Sequence, residues 1–331
     1  MARHDATIML TCMHRMTLTA GLVAVIALTL AGAANASVGT TIDPSSTRDY
    51  WTPERIRAAD ARAGYAMAAS GPRRRGRRWD SFPAAAKLVD TDTIGVRTIG
   101  RLYSVGPDGS PYVCSAALVA SANASVVWTA GHCLHTGRGG AYRTQLAFVP
   151  GARAGATPQD QAPYGVWPAV RAATTTSWAR SGDRSHFRRD FGAVVIGRDA
   201  AGRTITDVLG GAHRLAFSKK RPRRFTAFGY PGLGRFAGNM ALWKCPRRGV
   251  GAYRWIRGTG PQVQIARCEM NAGSSGGPWV TRIGRDGLGT VVSVTSAGLG
   301  DDGTKYGNTI YGPVQERVAR RLFKQMQRVP V

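Results

Sequence analysis

From residue 93 onward, short apolar segments alternate with turns that are rich in glycine. Short strands joined by such turns are typical of β-sandwiches and β-barrels. The chain holds 42 glycines and few long runs with helical periodicity, which favours the same β-rich class. We expect strands over 94–103, 112–119, 126–130, 146–149, 192–196, 225–228, 263–266, 278–281, 291–294 and 309–311.

One stretch near the C-terminus departs from the strand pattern. Val314, Val318, Leu322 and Met326 recur at every fourth position, with arginine and glutamine between them. Apolar residues at this spacing lie on one face of an α-helix. The pattern therefore predicts a single amphipathic helix over 313–327.

The first residues have the composition of an export signal. A basic start is followed by the apolar run 16–31 and then by the small-residue sequence Ala34-Asn35-Ala36. The run is shorter than the roughly 20 residues that span a bilayer, so a membrane anchor is disfavoured. We therefore predict a signal peptide over 1–36, its removal, and a secreted, extracellular protein without a membrane span.

Residues 37–93 contain little periodic apolar sequence and include the basic run 73–78. Such a composition predicts a leader or propeptide that is largely unstructured. The basic run is either a processing point, as in a zymogen, or a solvated linker. The folded domain is then expected over 94–331, with halves at about 94–200 and 205–312 before the helix.

The chain is strongly basic, with 45 lysines and arginines against 19 aspartates and glutamates and a formal net charge of +26. Such a field favours anionic polymers at the surface, although a composition bias that keeps the protein soluble explains it equally well. The basic residues form no motif with interleaved aromatic residues, so no specific nucleic-acid partner is predicted. We expect a monomer.

Five cysteines are present, of which Cys12 lies in the predicted signal peptide. The other four form an even set in an exported chain, which predicts two disulfides with three conceivable pairings. Local pairing as Cys114–Cys133 and Cys245–Cys268 is favoured, because it would staple one loop in each half. A zinc site is disfavoured because the sequence has no Cys-x-x-Cys pair. No metal or organic cofactor is predicted.

Two short motifs carry candidate catalytic groups. Residues 129–133 read Thr-Ala-Gly-His-Cys, and residues 273–278 read Gly-Ser-Ser-Gly-Gly-Pro. A serine hydroxyl needs an imidazole to accept its proton and a carboxylate to orient that imidazole. A glycine-rich turn can supply backbone N–H groups for a developing oxyanion. Asp190, which precedes an apolar run, is the candidate carboxylate between the two motifs.

From about residue 94 to the end, the chain resembles the trypsin/chymotrypsin-like serine peptidases, and within them the secreted bacterial branch that includes glutamyl endopeptidases. The order His, Asp, Ser matches that family. The resemblance implies an all-β fold of two six-stranded antiparallel β-barrels followed by a C-terminal α-helix. It also implies an endopeptidase that acts on polypeptide substrates through an acyl-enzyme. The matching segments are 114–119, 128–133, 190–196, 228–231, 273–278 and 296–298.

The same resemblance implies a role for each group. His132 is the general base, Asp190 orients it, and Ser275 is the nucleophile. The N–H groups of Gly273 and Ser275 form the oxyanion hole. A lone residue of any of these types is more often structural, as a turn serine, a buried histidine or a surface ion pair. The rival residues are Ser274, His135, Asp183 and Asp199, and His213 is expected at the surface.

The chain departs from the family pattern at several positions. Ser274 replaces the family's aspartate, so activity should not depend on an ion pair between that position and a freed N-terminal amine. Glu269 would favour a basic residue before the scissile bond by charge pairing. Thr295 stands where glutamyl-specific relatives carry a histidine, which argues against a preference for glutamate. The preferred residue before the scissile bond therefore stays open. The substrate-binding residues that the resemblance implies are Glu269, Thr295, Ser296, Ala297 and Gly298.

Two other function classes compete with this interpretation. The first is a catalytically weak or inactive protein of the same fold that binds anionic polymers through its basic surface. The second is an α/β-hydrolase esterase, since residues 273–277 fit its Gly-x-Ser-x-Gly motif. That class places histidine last and a helix after the serine, whereas here His132 comes first, so this class is disfavoured.

Overall fold

β-Strands dominate the structure, as the alternation of apolar runs and glycine-rich turns predicts. The computed structural model describes residues 37–63, 86–87, 93–218, 224–232, 236, 241–248, 251–256, 260–266, 268, 270–299 and 309–331. Within this part of the chain, no helix combines the length and the apolar composition needed to cross a membrane.

The elements are numbered in chain order. The strands are β1 (Ser37–Thr41), β2 (Ala86–Lys87), β3 (Ile99–Val105), β4 (Pro111–Val119), β5 (Val126–Thr129), β6 (Thr144–Pro150), β7 (Trp167–Thr175), β8 (Gly192–Ile196), β9 (Arg214–Leu215), β10 (Arg224–Gly229), β11 (Trp243–Arg248), β12 (Gly251–Ile256), β13 (Gly260–Ala266), β14 (Pro278–Thr281), β15 (Thr290–Val294), β16 (Ala297–Leu299) and β17 (Thr309–Gly312). The helices are α1 (Pro44–Tyr50), α2 (Pro53–Ala63), α3 (Ile94–Arg97), α4 (Pro158–Gln161), α5 (Thr176–Ser181), α6 (Ile205–Leu209) and α7 (Arg317–Met326).

The N-terminal half forms a closed antiparallel barrel in the order β7-β6-β3-β4-β5-β8, which pairing between β7 and β8 closes. β1 adds a seventh strand along β7. The strands are short and apolar on their inner faces, and Leu102, Leu118, Phe148 and Val194 are almost fully buried between them. Closure leaves few exposed strand edges, so the barrel can hold loops rigidly at its rim.

The C-terminal half, called here the C-terminal lobe, consists of two sheets within the described residues, and the first of them also includes β2 from the N-terminal region. A six-stranded sheet has the order β2-β11-β10-β14-β15-β9, and a four-stranded sheet has the order β12-β13-β17-β16. β9 and β15 pair in parallel, whereas the other pairs are antiparallel. The all-β, chymotrypsin-like class predicted from the resemblance is therefore confirmed.

The predicted C-terminal helix is also present as α7, which begins at Arg317 rather than at residue 313. Ala319, Leu322 and Met326 are buried, and the helix lies against β7 and β8. The apolar stripe thus faces the barrel, as its spacing requires. Val314 precedes the helix, so the stripe is shorter than the sequence pattern predicted.

The expectation that residues 37–93 are largely unstructured is wrong for residues 37–63, which form β1, α1 and α2. Asp43 caps α1, since its carboxylate accepts from the N–H groups of Ser45 and Ser46 at 3.0 and 3.3 Å. The few apolar residues here suffice because the barrel supplies the other side of the core. The predicted signal peptide over 1–36 and the basic run 73–78 lie outside the described residues.

Both predicted disulfides are confirmed. Cys114 and Cys133 are joined with their Cα atoms 6.1 Å apart, and Cys245 is joined to Cys268. The first bond ties β4 to the turn after β5, and the second links residues at the two sides of the β12–β13 hairpin. Each half of the molecule therefore contains one of the two disulfides, which lowers the conformational entropy of the unfolded chain.

Two local expectations need correction. The strand expected from residue 94 is preceded by α3, because the N–H of Gly95 donates to the Asp286 carbonyl at 2.9 Å instead of entering a sheet. His213 is not at the surface but 1% exposed. Its Nε2 lies 3.1 Å from the Gly95 carbonyl, and its Nδ1 accepts from the Gly289 N–H at 3.0 Å.

Candidate active site

His132 and Asp190 meet at the rim of the N-terminal barrel. His132 Nδ1 lies 2.7 Å from Asp190 Oδ2, and the backbone N–H of His132 donates to Asp190 Oδ1 at 2.7 Å. The carboxylate is fully buried, whereas the imidazole is 18% exposed. Two bonds from one residue hold the ring in a single orientation relative to the carboxylate.

This contact determines which imidazole nitrogen is free. An ionised carboxylate only accepts hydrogen bonds, so Nδ1 of His132 carries the ring proton and Nε2 keeps its lone pair. Nε2 is therefore the atom that can accept a proton from a nearby hydroxyl. The arrangement has the chemistry of a general base whose tautomer is set by a buried acid.

Local sequence explains how the barrel brings these two residues together. β5 ends at Thr129, and a short 3₁₀ turn over Gly131–Cys133 carries the histidine to the disulfide. Asp190 lies two residues before the buried strand β8, which pairs with β5. Because the two strands are antiparallel neighbours, the end of one and the start of the other lie at the same edge.

Two threonines at the end of β7 support the loop that carries Asp190. Thr174 donates its hydroxyl to the Phe191 carbonyl at 2.9 Å, and Thr175 donates to the Arg189 carbonyl at 2.9 Å. The backbone on both sides of the aspartate is thus bonded to one barrel strand. Sequence analysis missed both threonines, because hydroxyl residues in a strand carry no distinctive motif.

The C-terminal lobe also contributes to this carboxylate. Ser296 donates its hydroxyl to Asp190 Oδ2 at 2.5 Å, and its side chain is buried. Sequence analysis placed Ser296 in the substrate-binding segment and assigned no contact with the aspartate. Asp190 therefore accepts three hydrogen bonds, two from His132 and one from the other lobe.

The loop over residues 273–278 is called here the nucleophile loop, because the resemblance implies that Ser275 is the nucleophile, and its two serines differ in exposure. Residues 273–278 are buried except Ser275, which is partly exposed. Ser274 is 1% exposed, and its hydroxyl donates to the Asn271 carbonyl at 2.5 Å. The hydroxyl of Ser274 is thus occupied within the turn, whereas Ser275 is the serine of this loop that a substrate can reach.

Glycines give the loop its close approach to the barrel. Gly273 has φ of +92°, and a Cβ there would lie 2.4 Å from the Tyr230 carbonyl. Gly276 has φ of +77°, and its Cβ would lie 2.0 Å from Thr129 Oγ1. Only glycine adopts both the angle and the contact without strain. The nucleophile loop therefore packs directly on the strand end that leads to the histidine turn.

The backbone amides of this loop fall into two groups. The N–H of Gly276 donates to the Thr295 carbonyl at 2.7 Å, and that of Gly277 donates to the Ser274 carbonyl at 3.0 Å. The N–H groups of Gly273 and Ser275 find no acceptor among the described residues. Two unpaired amides beside a reachable serine are the arrangement that an oxyanion hole requires.

Ser115 on β4 ties the nucleophile loop to the barrel. Its N–H donates to the Ser275 carbonyl at 2.7 Å, and its hydroxyl donates to the Gly273 carbonyl at 2.8 Å. The same hydroxyl accepts from the Tyr230 N–H at 2.9 Å. Ser115 is fully buried and next to Cys114. Sequence analysis assigned it no role, although a serine inside an apolar strand was a usable signal.

The rival residues have other partners. His135 is 7% exposed, its Nδ1 accepts from the Gly137 N–H at 3.0 Å, and burial lowers its pKa. Asp183 forms an exposed ion pair with Arg138 at 2.8 Å. Asp199 accepts from the backbone and side chain of Arg203 at 2.8 Å. Within the described residues, the bonded imidazole–carboxylate pair is His132 with Asp190.

A basic side chain lies beside the histidine turn. Arg143 donates from Nε to the His132 carbonyl at 3.2 Å, and its guanidinium stacks on the Tyr112 ring at 3.7 Å. Burial lowers the pKa of Arg143. Trp178 donates from its indole to the His135 carbonyl at 2.8 Å. These contacts hold the backbone of the histidine turn and of the residues that follow it.

The predicted substrate-binding residues lie in different surroundings. Glu269 lies outside the described residues. Thr295 is 3% exposed, and its hydroxyl accepts from the Trp279 indole at 3.0 Å. Ala297 and Gly298 belong to β16, which is the last strand of its sheet within the described residues. One edge of β16 can therefore take up an extended peptide by strand pairing.

One group of metal-binding residue types occurs near the site within the described residues. Atoms of Cys114, Cys133 and His132 lie within 4.8 Å of one another. The two sulfur atoms are bonded to each other, and a disulfide does not supply the thiolate ligands that zinc requires. The arrangement is that of a disulfide next to a histidine.

No protein-family model and no curated protein matches the chain. Among solved structures, the chain is similar to a thermostable serine protease, AL20, from an extremophilic microorganism, with 32% sequence identity and a TM-score of 0.60. It is also similar to the protease Anisep from Arthrobacter nicotinovorans, with 31% identity and a TM-score of 0.61. Each comparison covers 71% of this chain and 98% of the solved protein.

These comparisons concern nearly the whole length of two proteases, at more than 30% identity. They support the β-barrel fold described above and a serine protease function. Protease function follows from this likeness, whereas the placement near glutamyl endopeptidases stays a prediction. The chain belongs to the trypsin/chymotrypsin-like serine peptidases.

Proposed function

We propose that the protein is a secreted serine endopeptidase that cleaves peptide bonds through an acyl-enzyme, with His132, Asp190 and Ser275 as its catalytic triad. The observation that carries this proposal is the bonded pair of His132 and Asp190 at 2.7 Å. The nucleophile loop supports it, because that loop packs on the strand end before His132 and leaves Ser275 accessible.

The first half of the reaction forms an ester. Ser275 Oγ attacks the carbonyl carbon of the scissile bond while its proton passes to His132 Nε2. The carbonyl oxygen becomes an oxyanion, which the N–H groups of Gly273 and Ser275 stabilise. When the intermediate collapses, the C–N bond breaks and Nε2 returns the proton to the leaving nitrogen. The amine product departs and the acyl group stays on Ser275.

The second half repeats these steps with water as the nucleophile. His132 takes a proton from water, the hydroxide attacks the ester carbonyl, and the proton then returns to Ser275 Oγ. The carboxylic acid product leaves and the serine is regenerated. Asp190 keeps its charge throughout and stabilises the imidazolium, in line with the three hydrogen bonds that it accepts.

Substrate binding is proposed along the edge of β16 that is unpaired within the described residues. Residues Ser296, Ala297 and Gly298 would pair with an extended peptide and place its scissile bond beside Ser275. Glu269 would favour a basic residue before the scissile bond, and the cationic surface would attract acidic substrates over a longer range. A cleavage profile on a peptide library measures both preferences.

Activation is proposed to work without the ion pair of trypsin-type zymogens. Ser274 carries no charge, and its hydroxyl is bonded within its own turn to the Asn271 carbonyl. That bond supports the turn from inside, so no freed N-terminal amine is required at this position. Any control by the N-terminal region would then act in another way.

Covalent labelling tests the proposal. A fluorophosphonate probe should label the purified protein at Ser275, which peptide mass spectrometry identifies. The Ser275→Ala variant should lose the label and its peptidase activity, whereas Ser274→Ala should keep both. Labelling of a different residue, or of none in a folded protein, would contradict the assignment.

The same experiment distinguishes the proposed protease from the main alternative, an inactive protein that binds anionic polymers. Such a protein would bind a polyanion column and release it with salt, without reacting with the probe. Secretion is tested by N-terminal sequencing of the protein from culture medium. A start at or near Ser37 would agree with the predicted signal peptide, and the two disulfides agree with an oxidising compartment.

A further inference from the structure

Residues 37–63, called here the N-terminal layer, add a strand to the barrel. β1 pairs antiparallel with β7 along all five of its residues. The pairing continues past the strand, since the N–H of Ile42 donates to the Val170 carbonyl at 3.0 Å. The phenol of Tyr142 donates to the Val38 carbonyl at 2.6 Å. The layer thus enters the hydrogen-bond pattern of the barrel itself.

The helices of the N-terminal layer complete the hydrophobic core. α1 lies against β6 and β7, and α2 lies against β4. Trp51, Ile56 and Ala59 are 4%, 6% and 0% exposed and belong to the same core as the barrel strands. Trp51 packs with its ring 5.3 Å from Tyr103 and donates from its indole to the Gln145 carbonyl at 2.5 Å. Removal of the layer would expose this apolar surface.

A buried ion pair joins the layer to the barrel wall. The guanidinium of Arg101 on β3 bonds to the carboxylate of Asp60 on α2, and their side chains are 5% and 9% exposed. The phenol of Tyr103 donates to both Asp60 oxygens at 3.1 Å. Within the described residues, Asp60 is the carboxylate that lies within ion-pair distance of Arg101. Without the layer, the barrel would carry a cation in its wall with no counter-charge.

The layer also lies behind the candidate active site. Ser37 and Val38 pair with Thr175 and Thr174 of β7. Those two threonines bond the backbone on both sides of Asp190. The outermost strand of the sheet therefore backs the strand end that holds the catalytic carboxylate in place.

From these contacts we propose that the N-terminal layer is a permanent structural part of the active protease and not a leader that is shed on activation. Strand pairing, core packing and a buried ion pair all join it to the barrel, and its loss would break all three. A cut in the chain between the layer and the barrel would yield two fragments that stay together. The proposal rests on the proposed function only where activity is the readout.

The first test cuts the full chain at one place. A recognition sequence for a site-specific protease is inserted between residues 64 and 85, and the uncut protein is checked for wild-type activity and melting temperature. After complete cutting, both fragments should co-elute in gel filtration and keep at least half of the activity. Separate elution, with full activity and an unchanged melting temperature in the large fragment, would overturn the proposal.

The unmodified protein offers a second test that does not depend on the insertion. Active protein from culture medium is labelled with a fluorophosphonate, captured by the probe and analysed under denaturing conditions. Peptides that cover residues 37–63 should be recovered in a one-to-one ratio with the peptide that contains Ser275. Their absence from fully active protein would refute retention of the layer.

Refolding isolates the role of the layer. The cut protein is unfolded, the small fragment is removed, and the large fragment is refolded with or without a synthetic peptide of residues 37–63. The peptide should raise the yield of probe-reactive protein at least tenfold, and a peptide with Trp51→Ala and Asp60→Asn should not. Equal yields with and without peptide would contradict the proposal. If the uncut protein itself fails to react with the probe, the proposed function fails, while co-elution and melting still test the layer.

Discussion

The N-terminal barrel and the C-terminal lobe contribute to the candidate active site in different ways. The barrel supplies His132 and Asp190, which are bonded to each other directly. The lobe supplies Ser275, whose loop is bonded to the barrel through Ser115. The base and its carboxylate are thus set within one sheet, whereas the position of the nucleophile is set by contacts between the two halves.

The two halves also differ in their contacts with the rest of the chain. The barrel closes on itself and gains an outer layer from residues 37–63. Ser296 of the lobe donates a hydrogen bond to the carboxylate of Asp190 in the barrel. The ring of His213 bonds both to α3 in the first half and to Gly289 in the second. Single substitutions can therefore separate what depends on the barrel alone from what depends on contact between the halves.

The largest effect is expected at the carboxylate in the barrel. Asp190→Asn should lower kcat by roughly 10⁴-fold, because the amide would favour the wrong histidine tautomer while the fold is kept. Steady-state kinetics and circular dichroism measure both. Asp183→Asn, which removes an exposed ion pair, should leave kcat unchanged. A loss below tenfold for Asp190→Asn would contradict the proposed role of Asp190 in the triad.

The next effect concerns the ion pair between the barrel and its outer layer. Asp60→Asn should lower the free energy of unfolding by about 3 to 5 kcal/mol, because the guanidinium of Arg101 stays buried without a counter-charge. Denaturant unfolding measures it. Glu54→Gln, on the same helix, removes an exposed pair with Arg57 and should change stability little. Equal effects of the two substitutions would mean that the buried ion pair contributes no more to the free energy of unfolding than the exposed one.

A pH dependence is expected from the histidine that links the two halves. Burial lowers the pKa of His213 to about 4, with Asp286 partly opposing the shift. The unfolded chain binds this proton below about pH 6.5, whereas the folded protein binds it only near pH 4. The contribution of His213 to the free energy of unfolding is therefore fully present above pH 6.5. It falls by up to about 3 kcal/mol on acidification to pH 4.

Denaturant unfolding at several pH values between 4 and 7 tests this prediction. The His213→Gln variant should be less stable at pH 7 but should lose much less stability on acidification than the wild type. Parallel curves for the two proteins would show that other groups dominate the acid sensitivity.

A smaller effect is expected at the contact between the nucleophile loop and the barrel. Ser115→Ala removes a buried hydroxyl that serves both the Gly273 carbonyl and the Tyr230 N–H, which should cost about 1 to 3 kcal/mol. Because the loop carries Ser275, kcat should fall together with stability. Thr281→Ala removes a more exposed hydroxyl-to-carbonyl bond and serves as the matched control. An unchanged kcat would show that backbone bonds alone place the loop.

The smallest effect is expected at Ser274. The Ser274→Ala variant loses one hydrogen bond within its turn, worth about 1 kcal/mol, and no ion pair. Most of the activity should remain in a kinetic assay, in contrast to Ser275→Ala. A collapse of kcat at wild-type stability would mean that Ser274 takes part in catalysis or in activation.

Much of the fold could be read from local pattern, with instructive exceptions. The strands β4, β5 and β8 were predicted because each is a continuous run of apolar residues in the sequence. Such runs occur because these strands are buried. β7 was missed, since its sequence is rich in alanine and threonine and contains Pro168. The layer over residues 37–63 was also missed. Its few apolar residues are too sparse to predict a core, and they become buried only because the barrel completes it.

The sequence alone determined the candidate reactive groups and favoured the local cysteine pairing. His132, Asp190, Ser275 and their glycine-rich neighbours lie in short motifs, and the cysteines of each pair are close along the chain. Only the tertiary structure decided the contacts of Ser115 and Ser296, the burial of His213 and the docking of the N-terminal layer. Each of these joins residues far apart in the chain, and such a contact depends on the relative position of complete strands, which no local spacing encodes.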